Sequence, residues 1–88
     1  MANIASQRKR IQRTERERLE NRRSRSAVKT HFRRFEQAVQ SGDGSAVDAE
    51  HRALVSRIDT AVQKGALHPN SGARKKAVAA RLLTKATA

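Results

Sequence analysis

From Val28 onward the apolar residues of this chain recur at helical spacing, and before it they do not. Val28, Phe32, Phe35 and Val39 step by 4, 3 and 4 residues, which is one face of an α-helix. Val47, His51, Leu54, Ile58 and Ala61 with Val62 repeat the pattern. Ala77, Val78 and Leu82, flanked by Leu67, offer a third stripe. No stretch alternates with period two, so no strand is predicted. Turn signals separate the stripes. Ser41 to Gly44, Ser-Gly-Asp-Gly, is a turn cluster, and Ser45-Ala-Val-Asp48 after it reads as a short-armed capping box. Gly65 suits a left-handed cap after Lys64. Pro69 fits the first turn of a new helix, where its missing N–H is not needed. The reading is all-α: helix 1 over about 6–40, helix 2 over about 46–64 and helix 3 over about 69–85. Together they close a small three-helix bundle within a single domain, residues 1–88. The stripes hold few large side chains, so the bundle is expected to be only marginally stable.

The polar positions change the picture of helix 1. Twelve of the twenty Lys and Arg residues fall between Arg8 and Arg34, against three carboxylates, Glu15, Glu17 and Glu20. Arg13 with Glu17 and Glu20 with Arg23 have helical pairing spacing. The stretch lacks Gly and Pro and is rich in helix formers, so it can be one uninterrupted helix. Before Val28 the bases, Arg8, Lys9, Arg10, Arg13 and Arg16 among them, lie on every side. After it Lys29, Arg33 and Arg34 keep to one side. A helix charged all round is either solvated or surrounded by a partner. About 35 helical residues span ~50 Å. A compact chain of this size has a radius of gyration of only ~12 Å. The basic N-terminal half of helix 1 therefore projects beyond the bundle.

Charge says what the partner is. The net charge is +12 and the pI about 11.8. Residues 1–40 carry +8, residues 41–63 carry −2 and residues 64–88 carry +6. The two ends are expected to grip a partner while the middle faces solvent. The chain has too few acids to satisfy its own cations, and a nucleic-acid backbone is the densest polyanion in a cell. Alone, the projecting segment would fray, so its folding is expected to be coupled to binding. Phe32 and Phe35 are the only aromatics, and both fall on the core stripe. Aromatic platforms for single strands are thus absent, which leaves backbone recognition. Asn21, Arg22, Arg23, Ser24, Arg25 and Ser26, with Thr30, mix cations with small polar groups suited to phosphate and sugar.

Other chemistries find no foothold. There is no Cys. His31 reads as a helix-surface residue and His51 as a core edge; for His68, before Pro69, a local cap and an RNA contact stay equally open. None has metal-ligand spacing, and no Gly-rich phosphate loop exists, so an enzyme, a cofactor and a metal site are not expected. No apolar run approaches ~18 residues and the N-terminus lacks a signal-peptide core, so a cytoplasmic protein without membrane association is expected. Asn21 and Lys29 faintly suggest a basic-zipper helix, but helix 1 holds one Leu, Leu19. A membrane-active helix would need more apolar surface than Ile4, Ile11 and Leu19 provide. A nucleoid-type DNA-packing protein shares the charge pattern and is the alternative. Nothing here offers it a dimer surface or a wedge residue, and no stable homo-oligomer is expected.

Three segments carry a family likeness. The opening Met-Ala-Asn-Ile-x-Ser-x-x-Lys-Arg (Met1 to Arg10), the Asn21 to Thr30 segment and the run from Ile58 to Lys76 resemble the bacterial small-subunit ribosomal protein S-twenty family. The likeness covers nearly the whole chain in order. Pro69, Gly72 and Ala77 depart from the residues common there. The resemblance implies a structural constituent of the small ribosomal subunit. Such a protein binds small-subunit ribosomal RNA early in assembly, holds separate RNA helices together and lies among other small-subunit components. By position it implies RNA contacts at Asn3, Ser6, Lys9, Arg10, Asn21, Arg23, Ser24, Ser26 and Thr30. It implies them also at His68, Asn70, Arg74, Lys75 and Lys76.

Overall fold

The computed structural model describes the backbone of residues 3–87 and the side chains of residues 3–86. Met1 and Ala2, which open the family-like motif, and Ala88 lie outside the described residues. The described chain is all-α: α1 spans Asn3–Ser41, α2 Gly44–Gln63 and α3 Pro69–Thr87. Its principal extents are 66 × 20 × 13 Å and its radius of gyration is 17.5 Å. A compact chain of this length would reach only ~12 Å. The excess is α1, whose 39 residues give a rod of roughly 58 Å at the standard helical rise.

Local chemistry sets the boundaries. Gly42 stands past the end of α1 at φ 75° and donates its N–H to the Ala38 and Val39 carbonyls. The start of α2 corrects the capping-box reading. The cap is Asp43, with extended backbone, and its Oδ1 accepts from the Ser45 and Ala46 N–H groups and from the Ser45 hydroxyl. A carboxylate placed before the first turn satisfies two orphan donors at once, so the helix starts earlier than Ser45 alone would set it. At the end of α2 the Gly65 N–H bonds Val62 O and the Ala66 N–H bonds Ala61 O. This is a Schellman closure, which needs the left-handed backbone Gly65 adopts at φ 79°. Its apolar contact is built from Ala61 and Ala66, both buried.

The core is thin and sits around the C-terminal half of α1. Val28, Phe35 and Ala38 from α1 meet Val47, Leu54, Ile58 and Ala61 from α2, with Ala66 and Ala79. Phe32, Val39, Val62, Leu67, Leu82 and Leu83 pack half-buried around them. His51 edges this core, its ring 5.5 Å from that of Phe35.

The third stripe differs from the sequence reading. Ala77 is exposed and Val78 is 45% exposed. The buried face of α3 is Gly72, Ala79 and the partly covered Leu82 and Leu83, with Lys75 and Lys76 half-buried between them. Gly72 explains the shift. A Cβ built there would lie 2.6 Å from Val62 Cγ2 and 3.4 Å from Ile58 Cγ2. The bare backbone lets α3 press against α2 at this point, and that contact sets which face of α3 turns inward.

Candidate nucleic-acid interface

Every described side chain of α1 from Asn3 to Glu20 is exposed. Arg8, Lys9, Arg10, Arg13, Arg16 and Arg18 all lie in this stretch. At about 100° per residue they distribute around the whole helix axis. Glu15, Glu17 and Glu20 form no ion pair, so the spacings Arg13–Glu17 and Glu20–Arg23 are not used among the described residues. Asn3 and Ser6 lie in the same exposed stretch.

The next segment turns one side inward. Asn21 and Ser24 are half-buried, followed by Ala27 and Val28, so the inward seam of α1 begins two turns earlier than its apolar residues do. Arg22, Arg23, Arg25 and Ser26 stay exposed on the remaining sides, as do Lys29, Thr30, Arg33 and Arg34 beyond them. The Thr30 hydroxyl donates to Ser26 O at 3.0 Å. Its lone pairs remain as acceptors, which suits a ribose hydroxyl and not a phosphate, because phosphate offers no donor at neutral pH. His31 departs from the surface reading: it is half-buried, and its Nδ1 is covered without a hydrogen-bond partner.

The start of α3 brings a second basic group against the same side. His68 caps the helix, with Nδ1 accepting from the Asn70 N–H at 3.1 Å and its carbonyl accepting from the Gly72 N–H. The local-cap reading of His68 thus holds. Because Nδ1 accepts, the neutral ring carries its proton on Nε2, which leaves an exposed donor. Asn70 and Arg74 are exposed and Lys75 is half-buried. Lys76 differs from its neighbours, for its ammonium is ion-paired with Asp59 of α2.

Between α1 and α3 lies an open groove of about 370 Å³. Val28, Phe32 and Val78 form its apolar surface, and Lys29, Arg33, Arg74 and Lys75 supply cations. No acid lines it. The apolar spacing assigns Phe32 and Val78 to the core; Phe32 packs half-buried against it and Val78 does not, and both line this groove. A signal was present: Val78 follows Arg74 and Lys75 by four and three residues, which places a large apolar side chain on a basic helix face. Among the described residues no cluster of His and acids could hold a metal ion, and no helix is long and apolar enough to cross a membrane.

The chain's relatives agree with one another. The sequence profile of the family described as Ribosomal protein S20 matches residues 2–84. The chain is 45% identical over 85 residues to the small ribosomal subunit protein bS20 of Corynebacterium diphtheriae, covering 97% of this chain and 98% of that protein. It is 45% identical over 94 residues to bS20 of Acaryochloris marina, covering 99% and 100%. To bS20 of Mycolicibacterium smegmatis it is 42% identical over 85 residues, covering 97% and 99%.

Proposed function

The chain belongs to the ribosomal protein S20 family, a structural and non-enzymatic family of the cytoplasmic ribosome, and from that premise we propose that it binds small-subunit ribosomal RNA directly. It stabilises the RNA fold during assembly of the subunit, beside other small-subunit components. One observation carries this reading. The exposed cations of α1 surround the helix axis and pair with no carboxylate among the described residues. Such a segment is neutralised by phosphates on several sides, so it lies between RNA helices instead of against one. The first turns of α3 extend the contact through Asn70, Arg74 and Lys75, and the His68 Nε2–H adds a donor. Recognition is of backbone: cations position the chain, Ser26 and the half-open Asn21 and Ser24 contact phosphate and sugar, and Thr30 accepts from a ribose hydroxyl.

Sedimentation of cell extract tests the assignment. The endogenous protein should travel with the small subunit and stay there through a moderate salt wash. Purified chain and small-subunit ribosomal RNA test the contact. If six to ten phosphates are engaged, log affinity against log salt should fall with a slope on the order of −5 to −9. Arg23→Ala should reduce that magnitude by about one. A flat salt response, or equal affinity for any duplex DNA, would overturn the proposal in favour of solvated cations or DNA packing.

A further inference from the structure

The groove between α1 and α3 has a composition that backbone recognition does not require. Cations alone suffice to hold phosphates. Here they stand on opposite helices, Lys29 and Arg33 on α1, Arg74 and Lys75 on α3, around the apolar surface of Val28, Phe32 and Val78. Val78 is 45% exposed although it is one of the larger apolar residues of a chain short of core. Phe32 is half-buried while Phe35, one turn on, is fully covered. The opening is therefore an apolar slot with an aromatic wall, flanked by positive charge and free of acids.

Resting on the ribosomal RNA reading above, we propose that this groove seats one unstacked nucleotide of the RNA. Its base packs against Phe32 and Val78, and its two flanking phosphates are held by the cations of α1 and α3. An occupant of this site combines an apolar face with negative charge on both sides of it, and an unpaired nucleotide has that layout. An acidic peptide could offer similar chemistry. The nucleotide is favoured because Lys29 and Arg33 of the groove share a helix with the exposed Arg22, Arg23 and Arg25, so a strand held by those cations reaches the groove along α1. Stacking of a base on a protein aromatic is sequence-tolerant, so the groove selects an unpaired position and not a particular base.

Phe32→Leu keeps the apolar surface and removes the aromatic face. With purified small-subunit ribosomal RNA as the probe, its affinity should fall by about 5- to 150-fold, the range for one lost stacking contact. The salt slope should stay unchanged, since no phosphate contact is removed. Phe32→Tyr should restore the affinity. The chain has no Trp, so Val78→Trp places a single fluorophore at the mouth of the groove, at a position exposed enough to accept it. Addition of the RNA should quench it by stacking, and ultraviolet crosslinking of the unaltered complex should leave a nucleotide adduct on Phe32. If the unaltered chain does not bind the RNA, both readings fall. If it binds, Phe32→Leu binds as tightly and the Val78→Trp signal does not respond, the nucleotide groove alone falls. Quenching by another subunit protein and not by RNA would assign the groove to a peptide instead and overturn the proposal.

Discussion

At the scale of single residues, polar side chains here do work that their sequence positions do not advertise. Asp43 is exposed, yet its carboxyl is held below the ordinary value of 3.8. The Ser45 hydroxyl is the main cause, followed by the Ala46 N–H, with a smaller part from the Ser45 N–H. A carboxylate whose folded value is depressed stabilises the fold above its unfolded value. It loses that contribution as pH falls through the folded one. Asp43→Ala should therefore lower the melting temperature near neutral pH. The gap between the two proteins should narrow once the pH drops below 3.8. Thermal melts followed by circular dichroism across that range decide it, and a gap that stayed constant would remove the carboxylate from the cap. Asp43→Asn, which keeps an acceptor, should retain most of the neutral-pH stability and lose the pH dependence. The sequence pointed to Ser45 because Ser45-Ala-Val-Asp48 has the spacing of a capping box. In the structure Ser45 serves the cap from the far side, as a donor to Asp43.

At the scale of elements, the three helices differ in how far they could be read. Val28, Phe35, Leu54 and Ile58 are large, and their 3–4 spacing turns one face inward whatever surrounds them. The inward faces of α1 and α2 were legible for that reason. The face of α3 was not, since it is defined by what Gly72 lacks, and a count of apolar side chains gives a missing Cβ no weight. The polar start of the α1 seam, Asn21 and Ser24, escaped for a related reason. Half-burial there follows from neighbouring elements and not from side-chain hydrophobicity. Of the candidate site, the cations were legible from charge alone. The groove was not, because it needs the register between α1 and α3. Two substitutions separate these sources of packing. Phe35→Ala, at a fully buried position, should cost ~3–5 kcal/mol, or less if the thin core closes over the gap. Gly72→Ala improves helix propensity by up to ~1 kcal/mol. The crowding of its Cβ against Val62 costs about 1–3 kcal/mol by overpacking. The net effect should be a loss of up to about 2 kcal/mol, from the same two ranges. In a Val62→Ala background the same change should become stabilising. A double-mutant cycle by denaturant unfolding measures this, and additivity would mean the two residues do not meet.

At the scale of the whole molecule, the chain is a small bundle with a long basic handle. Every described side chain of the handle is exposed, so packing does not protect its amides, and its like charges repel. Hydrogen exchange of the free protein should show residues 3–20 exchanging close to random-coil rates, with slow exchange confined to the helix stretches around Val28–Val39 and Val47–Val62. Addition of ribosomal RNA should slow the handle as well; strong protection without RNA would break the link between folding and binding. When formed, the handle is continuous with the bundle, for α1 contains neither Gly nor Pro from Asn3 to Ser41. Continuity fixes an angular phase. Each cation of the handle points in a direction set by counting residues back from the packed seam at Asn21. One alanine inserted between Glu20 and Asn21 would change no charge and remove no contact of the core. It would turn every cation of the handle by about 100° and shift it by ~1.5 Å relative to the α3 contacts. Seven inserted alanines would return the facing to within ~20° but carry the tip ~10 Å further out. Affinity for the RNA should fall steeply with the single insertion, and bundle melting should not move. The chain thus behaves as a key whose teeth are cut along a rigid shank: their spacing from the bow, as much as their number, determines what it fits.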